Sequence, residues 1–137
     1  MSRIFIFDDN YDTIRTLGCA LECHGQGHEV LTNVVLPKGT TKPKIITNPV
    51  DVLGLLASTR PFPDLIVAET GTVDGGWLCG LVHDLEMSKR CSIVLTGHRH
   101  NEKVRHLEKL YQVSFWAKPF NTLKFVEYIE TFFAVSC

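Results

Sequence analysis

Five side chains in this sequence could do chemistry together: Asp8, Asp9, Glu69, Thr96 and Lys118. Asp8-Asp9-Asn10 follows the apolar run Ile4-Phe5-Ile6-Phe7, and Glu69 follows Leu65-Ile66-Val67-Ala68. Thr96-Gly97 follows Ile93-Val94-Leu95, and Lys118-Pro119-Phe120 follows Phe115-Trp116-Ala117. Each polar residue stands just past the C-terminal end of a predicted strand, the edge of an open α/β sheet where ligands sit. Brought together there, three carboxylates would offer the hard oxygen atoms that a divalent cation prefers. A hydroxyl and an ammonium would lie beside them.

The elements that must position these groups follow from periodicity. Residues 3–7 form an apolar run too continuous for a one-sided strand, so they predict a central parallel strand. Asn10 or Asp12 can cap the next helix, in which Ile14, Leu17 and Leu21 recur at helical spacing; Gly25 and Gly27 stop it. Residues 28–32 predict a second strand. Pro49 suits a first helical turn with Asn48 as N-cap, and Val52, Leu55 and Leu56 give that helix its apolar stripe. Further strands are expected over 65–68, 92–96 and 114–117. Helices are expected over 77–87, 101–110 and 122–133, the last with Leu123, Val126, Ile129 and Phe133 facing inward. Strands alternating with helices argue for a doubly wound parallel sheet with helices on both faces. In the strand order 2-1-3-4-5, the crevice beside the first and third strands unites Asp8, Asp9 and Glu69.

The set resembles the receiver domain of two-component response regulators, over essentially the whole chain as a single unit, 1–137, of flavodoxin-like fold with five strands. In that family an acidic pair binds Mg²⁺, an aspartate accepts a phosphoryl group, and a Thr or Ser and a Lys contact the phosphate. Asp8 and Asp9 match the acidic pair, Thr96 the hydroxyl, and Lys118-Pro119 the lysine–proline step. The resemblance implies a cis bond before Pro119 and places Phe115 at the family's switch aromatic. Gly71 would offer a backbone carbonyl to the metal. The helix 101–110, the strand 114–117 and the helix 122–133 correspond to the family's partner-binding face.

Two departures from that pattern stand out. The phosphoacceptor position holds Glu69, and Thr70-Gly71-Thr72-Val73 after it is shorter than the family's loop and lacks its proline. Glutamate keeps the charge but carries the carboxylate one bond length further, and catalytic constellations tolerate only ~0.5 Å of misplacement. Phosphotransfer to Glu69 is therefore not expected. Either Glu69 imitates the phosphorylated state, its carboxylate reaching Lys118 or the Thr96 hydroxyl, or the site is vestigial. The second departure is 33–47, read as an insertion between the second strand and second helix. It suggests a hairpin-like excursion around Lys38-Gly39, serving as a surface loop or as a partner-binding arm.

Other residues have plainer readings. Asp8 and Asp9 alone could serve as helix N-terminal acids, and Lys118 alone could be a surface lysine before a turn. Phe115 lacks a hydroxyl and could act only by packing; Trp116 should point to the opposite face. His98-Arg99-His100 reads as a solvated loop, His83 as isolated, and Trp77 as a packing residue at a helix start. Cys19-x₃-Cys23-His24 could suggest a soft metal site, but without a second ligand pair both cysteines are expected on the packed side of a helix.

The chain has 137 residues, 45% of them hydrophobic and 21% charged, ordinary for a globular protein with a core. Fourteen basic and 15 acidic residues give a net charge of −1, which does not indicate attraction to nucleic acid or to an anionic membrane. No apolar run approaches a membrane span, and no signal peptide is recognisable. Five cysteines without a CxxC pair fit reduced thiols in the cytoplasm.

The expected function is that of a pseudo-receiver, a non-enzymatic adaptor that signals by protein–protein contact without phosphorylation at the usual residue. It requires no cofactor, though weak Mg²⁺ binding by Asp8, Asp9, Glu69 and Gly71 is allowed, and homodimerisation is compatible. One rival is a phosphorylatable, Mg²⁺-dependent receiver using a neighbouring acid such as Asp74. Another is a small α/β enzyme or nucleotide-binding protein, for which no GxGxxG or P-loop is present.

Overall fold

Arg3–Phe7 forms β1, and its alternate side chains enter two different cores. The computed structural model describes residues 2–24, 27–59, 61–84 and 91–134. After β1 come α1 (Tyr11–Cys23), β2 (Glu29–Thr32), β3 (Val34–Val35), β4 (Lys44–Ile45) and α2 (Pro49–Ser58). Then follow β5 (Leu65–Glu69), α3 (Gly75–Asp84), β6 (Ser92–Gly97), α4 (Glu102–Tyr111), β7 (Ser114–Ala117) and α5 (Thr122–Ala134). The main sheet is parallel in the order β2-β1-β5-β6-β7, the expected arrangement once the hairpin strands β3 and β4 are set aside.

The pleat divides the core. Phe5, Phe7, Ile66, Ala68, Ile93 and Leu95 pack against Val52 and Leu56 of α2, Leu78 and Val82 of α3, and Leu107 of α4. On the other face Ile4, Ile6, Leu65, Val67 and Val94 meet Leu17 and Leu21 of α1 and Phe125, Val126 and Ile129 of α5. Because successive strand side chains point to opposite faces, a continuous apolar run fills both layers. Phe115 joins the first cluster and Trp116 the second, as their adjacency in β7 requires.

Caps set the helix starts. Asn10 Oδ1 accepts from Thr13 N at 3.0 Å, Asn48 Oδ1 from Val50 N at 2.9 Å with Pro49 in the first turn, and Asn101 Oδ1 from Val104 N at 3.0 Å. Asn10, not Asp12, is therefore the cap of α1. The helix expected over 77–87 begins earlier, at Gly75, and its predicted end at 85–87 lies outside the described residues, as does Gly25.

Two packing expectations are corrected. Cys19 and Cys23 are exposed, because α1 turns Ile14, Leu17, Gly18 and Leu21 toward the sheet and that stripe excludes both thiols. In α5 the inward residues are Phe125, Val126 and Ile129, whereas Leu123 is 51% exposed. Phe125 takes the place beneath Trp116 and Phe120, at ring distances of 5.2 and 4.8 Å, so the helix is rotated away from Leu123.

The 33–47 stretch is a hairpin. Val34 opposes Ile45 and Val35 opposes Lys44, antiparallel, and Pro37 O accepts from both Thr40 N and Thr40 Oγ1 at the turn, where Gly39 takes φ +81°.

Candidate functional site

The parallel registers align the C-terminal ends of three strands. Phe7 lies opposite Ala68 and Glu69 opposite Thr96, so Asp8, Glu69 and Thr96 stand side by side on one edge. All three are buried, at 2%, 6% and 2% exposure, while Asp9 is exposed. Asp8, Asp9 and Glu69 each offer a carboxylate oxygen within 4.8 Å of the others. The sequence-predicted acidic cluster is thus assembled.

Lys118 enters from the end of β7. Its backbone N–H donates to Gly97 O at 2.7 Å, and the Lys118–Pro119 peptide is cis, as the resemblance implied. Its ammonium donates to Asp8 Oδ2 at 2.7 Å, both side chains being nearly buried. The other Asp8 oxygen accepts from Asn10 N at 2.9 Å, so each oxygen of this carboxylate has a donor, as burial demands.

Glu69 bonds neither Lys118 nor the Thr96 hydroxyl, the two contacts expected of it. Its carboxylate folds forward over its own loop: Oε1 accepts from Gly71 N at 2.9 Å and Oε2 from Thr72 Oγ1 at 2.8 Å. The Glu69 carbonyl also accepts from Thr72 N at 3.0 Å and Val73 N at 3.1 Å. The physical reason is local. The extra methylene lets the side chain turn back toward N–H and hydroxyl donors two and three residues away, while Lys118 is committed to Asp8. Gly71 leaves the space required, since a Cβ there would fall 3.0 Å from Oε2 and 3.1 Å from Oε1. The N–H of Gly71 is thus the group that meets Glu69.

Gly97 plays a similar part across the edge. A Cβ on it would lie 2.5 Å from Thr70 Oγ1 and 3.4 Å from the Phe115 ring. Thr70 N in turn donates to Thr96 O at 2.8 Å, continuing the β5–β6 ladder into the loop. Phe115 is half-buried, with its ring stacked on His100 at 5.2 Å and 10° between planes. His100 Nε2 also pairs with Glu108 of α4. The 98–100 loop therefore does more than meet solvent. His83 too has a neighbour, Tyr111, edge-on at 6.1 Å.

Asp74 lies apart from the cluster's bonded network. Oδ1 accepts from Trp77 N at 2.8 Å and Oδ2 from Lys103 Nζ at 2.9 Å. The bond from Lys103, with that from Trp77, holds its carboxyl below the usual value.

Sequence reasoning missed Asn33. It is fully buried and joins the end of β1 to the hairpin base: Oδ1 accepts from Asp8 N at 3.4 Å, and Nδ2 donates to Asp8 O and Ile46 O, both at 2.9 Å. The signal was a lone amide between Val30-Leu31-Thr32 and Val34-Val35, where an apolar neighbourhood obliges a polar side chain to find partners. Thr72 was also missed; a carboxylate ending a buried strand needs donors, and the next hydroxyls are the first place to look.

A cleft of about 410 Å³ opens beside the acidic edge, lined by Asp9, Asn10, Asp12, His98, Lys118 and Phe120 among others.

No family model matches the chain, and no curated protein matches it. Solved structures do. The phosphorylated cyanobacterial phytochrome response regulator RcpA is 18% identical, with a TM-score of 0.71 over 99% of this chain and 96% of that one. The chemotaxis response regulator CheY4 of Vibrio cholerae is 16% identical at TM-score 0.72, covering 96% and 98%. A CheY-like receiver domain protein from Methanospirillum hungatei is 17% identical at TM-score 0.72, covering 96% and 92%. At such identities the likeness speaks for the backbone alone, and along nearly its whole length this chain has the receiver-domain fold of response regulators.

Proposed function

We propose that this chain is a pseudo-receiver: a non-enzymatic signalling module of the cytoplasm that works by protein contact, without phosphorylation at the position of Glu69. The observation that carries this reading is the engagement of Glu69 by Gly71 N and Thr72 Oγ1. An acceptor must present a free oxygen in line with the incoming phosphorus. Here both oxygens are held by the loop, and turning one outward would break the bond to Gly71 N or to Thr72 Oγ1. Glu69 supplies a permanent negative charge at the edge instead. That charge reads as a fixed signal state through the loop it organises, not through Lys118.

The partner is a protein that contacts α4, β7 and α5, where His100, Phe115 and Glu108 link the loop past Thr96 to the helix surface. A homodimer through the same face is compatible. Nucleic acid and membrane partners are disfavoured by a net charge of −1, and among the described residues no helix is long and apolar enough to cross a membrane.

The donor set fits a hard divalent cation. Asp8, Asp9 and Glu69 are all-oxygen ligands of the type Mg²⁺ takes. A bound ion would lower the mutual repulsion of the three carboxylates, but it would have to share Asp8 with Lys118 and Glu69 with the loop. Binding is accordingly weak, and the function does not require it.

The test is incubation of the whole chain with Mg²⁺ and acetyl phosphate, followed by intact-mass measurement. No phosphoryl adduct is expected. An adduct mapped to Glu69 would overturn the reading, and one mapped to Asp74 would favour a receiver with a displaced acceptor. The second outcome is disfavoured because Asp74 is already bonded to Lys103 and Trp77.

A further inference from the structure

Helix α2 presents an apolar face to solvent. Val52 and Leu56 are buried, yet Val50 is 75% exposed, Leu53 is 36% exposed, and Gly54 and Ala57 lie on the same side. Positions 50, 53, 54 and 57 follow the i, i+3, i+4, i+7 spacing of a single helical stripe. Nothing lies within 4 Å of a Cβ built on Gly54, so the middle of that stripe is open. The β3–β4 hairpin leads directly into it: Ile46 N donates to Asn33 O at the hairpin base, and Asn48 caps α2 two residues on. The hairpin adds Leu36, which is 62% exposed. Among the described residues, three of the six large exposed apolar side chains thus fall between residues 36 and 53.

The charge around this stripe has one sign. Between residues 33 and 58 the cations are Lys38, Lys42 and Lys44, and the only carboxylate is Asp51. All three lysines are exposed, and none forms an ion pair among the described residues, whereas Lys103 and Lys118 both do. A chain with net charge −1 therefore carries a local excess of positive charge in the hairpin segment that leads into this helix.

We infer that the hairpin and the outer face of α2 form a docking surface for an acidic amphipathic helix of a partner protein, separate from the α4–β7–α5 face. Apolar side chains of that helix would cover Val50, Leu53 and Leu36, with Gly54 allowing close backbone approach, and its flanking carboxylates would meet the three lysines. A second copy of this chain fits less well, because a twofold contact would set like lysines against each other. A bilayer fits less well because residues 33–58 contain no aromatic side chain to anchor at a lipid interface.

The probe is a synthetic amphipathic helix with leucines at i, i+3, i+4 and i+7 flanked by glutamates, labelled with a fluorophore and titrated against the full chain. A matched peptide with lysines in place of the glutamates serves as control. The acidic peptide should bind at least about tenfold more tightly than the basic one, a margin that shrinks as salt rises. The combined Lys38→Glu, Lys42→Glu and Lys44→Glu variant should lose that margin. Val50→Asp should weaken binding of the acidic peptide without lowering the melting temperature, since that side chain is already largely solvated. Lys109→Glu on α4 should leave it unchanged. Failure of the acidic peptide to bind, equal binding of both peptides, or binding abolished by Lys109→Glu and not by the hairpin variants would overturn the assignment. So would dimerisation blocked by Val50→Asp, or attachment to phosphatidylserine vesicles lost in the triple variant. None of these outcomes depends on whether Glu69 accepts phosphate.

Discussion

The Lys118 ammonium lies 2.7 Å from Asp8 Oδ2, and with Lys118 so committed, the Glu69 carboxylate is bonded within its own loop. Two negative groups that could have competed for a single cation are satisfied separately. This division explains how a third carboxylate is accommodated at 6% exposure without a second lysine: backbone and hydroxyl donors stabilise it in place of charge.

Glu69 should therefore matter more for the loop than for chemistry. Glu69→Ala leaves the Gly71 N–H and the Thr72 hydroxyl without their acceptor and should cost about 1.5–3 kcal/mol in chemical denaturation, in the range of hydrogen bonds to a charged group. Glu69→Gln keeps one acceptor oxygen and should cost less. Glu69→Asp is the informative case, because the shorter side chain cannot span the same distance to Thr72 Oγ1. It should release one oxygen and lower stability, and only in this variant should acetyl phosphate with Mg²⁺ yield a detectable adduct. Equal stability of all three variants and the parent chain would contradict the loop role.

Removing Lys118 should have two opposite consequences. Lys118→Met leaves Asp8 buried without its cation and should destabilise the fold by about 2–3 kcal/mol, less than the ~3–5 of a fully dry pair because Lys118 keeps some solvent contact. The same change frees Asp8 Oδ2 for a metal. Calorimetric titration with Mg²⁺ should then show tighter binding than in the parent chain, and added Mg²⁺ should recover part of the lost thermal stability. Unchanged affinity would mean that Asp8 is not a ligand.

Asn33 links the acidic edge to the hairpin that leads into α2. Asn33→Leu preserves bulk but leaves the Asp8 and Ile46 carbonyls without their donor, and should cost about 2–3 kcal/mol for two buried acceptors. Hydrogen exchange should report where the loss is felt. The Ile46 amide, bonded to Asn33 O, should exchange faster, while amides of β6 keep their protection relative to global stability.

The sheet was legible because its strands are apolar runs that end abruptly in charge: Ile4–Phe7 before Asp8, Leu65–Ala68 before Glu69. Alternation with helices and the crossover rule limited the topology, and in one standard doubly wound order, 2-1-3-4-5, Asp8, Asp9 and Glu69 converge, which is the order found. The direction of the Glu69 carboxylate was not legible. It depends on which donors the next three residues turn inward, and charge alone pointed to Lys118. Helical phase was a second blind spot. In α1, residues 19 and 23 repeat at the same interval as 17 and 21, and only contact with the sheet selects Leu17 and Leu21. In α5 the same ambiguity set Leu123 against Phe125, and the aromatic neighbours Trp116 and Phe120 decided it.

The cysteines offer a check that is independent of the site. Cys19 and Cys23 are exposed on α1, whereas burial pushes the Cys79 thiol up to about 11 and the Cys91 thiol up to about 12. Only the thiolate reacts with iodoacetamide, so in a chain carrying Cys137→Ser two thiols should alkylate readily at pH 8, and Cys79 and Cys91 should react only after denaturation. The sign of the linked stability follows. The fold favours the neutral thiol, so the contribution of each buried cysteine is fully present below its unfolded value of 9.0 and is lost as pH rises through about 11 and 12. Denaturation midpoints should accordingly fall between pH 9 and 11 in the parent chain and fall less in Cys79→Ala, Cys91→Ala, once the constant cost of the two small cavities is subtracted. Fast alkylation of Cys91 in the folded chain at pH 8 would show that β6 and α3 are not closed over it.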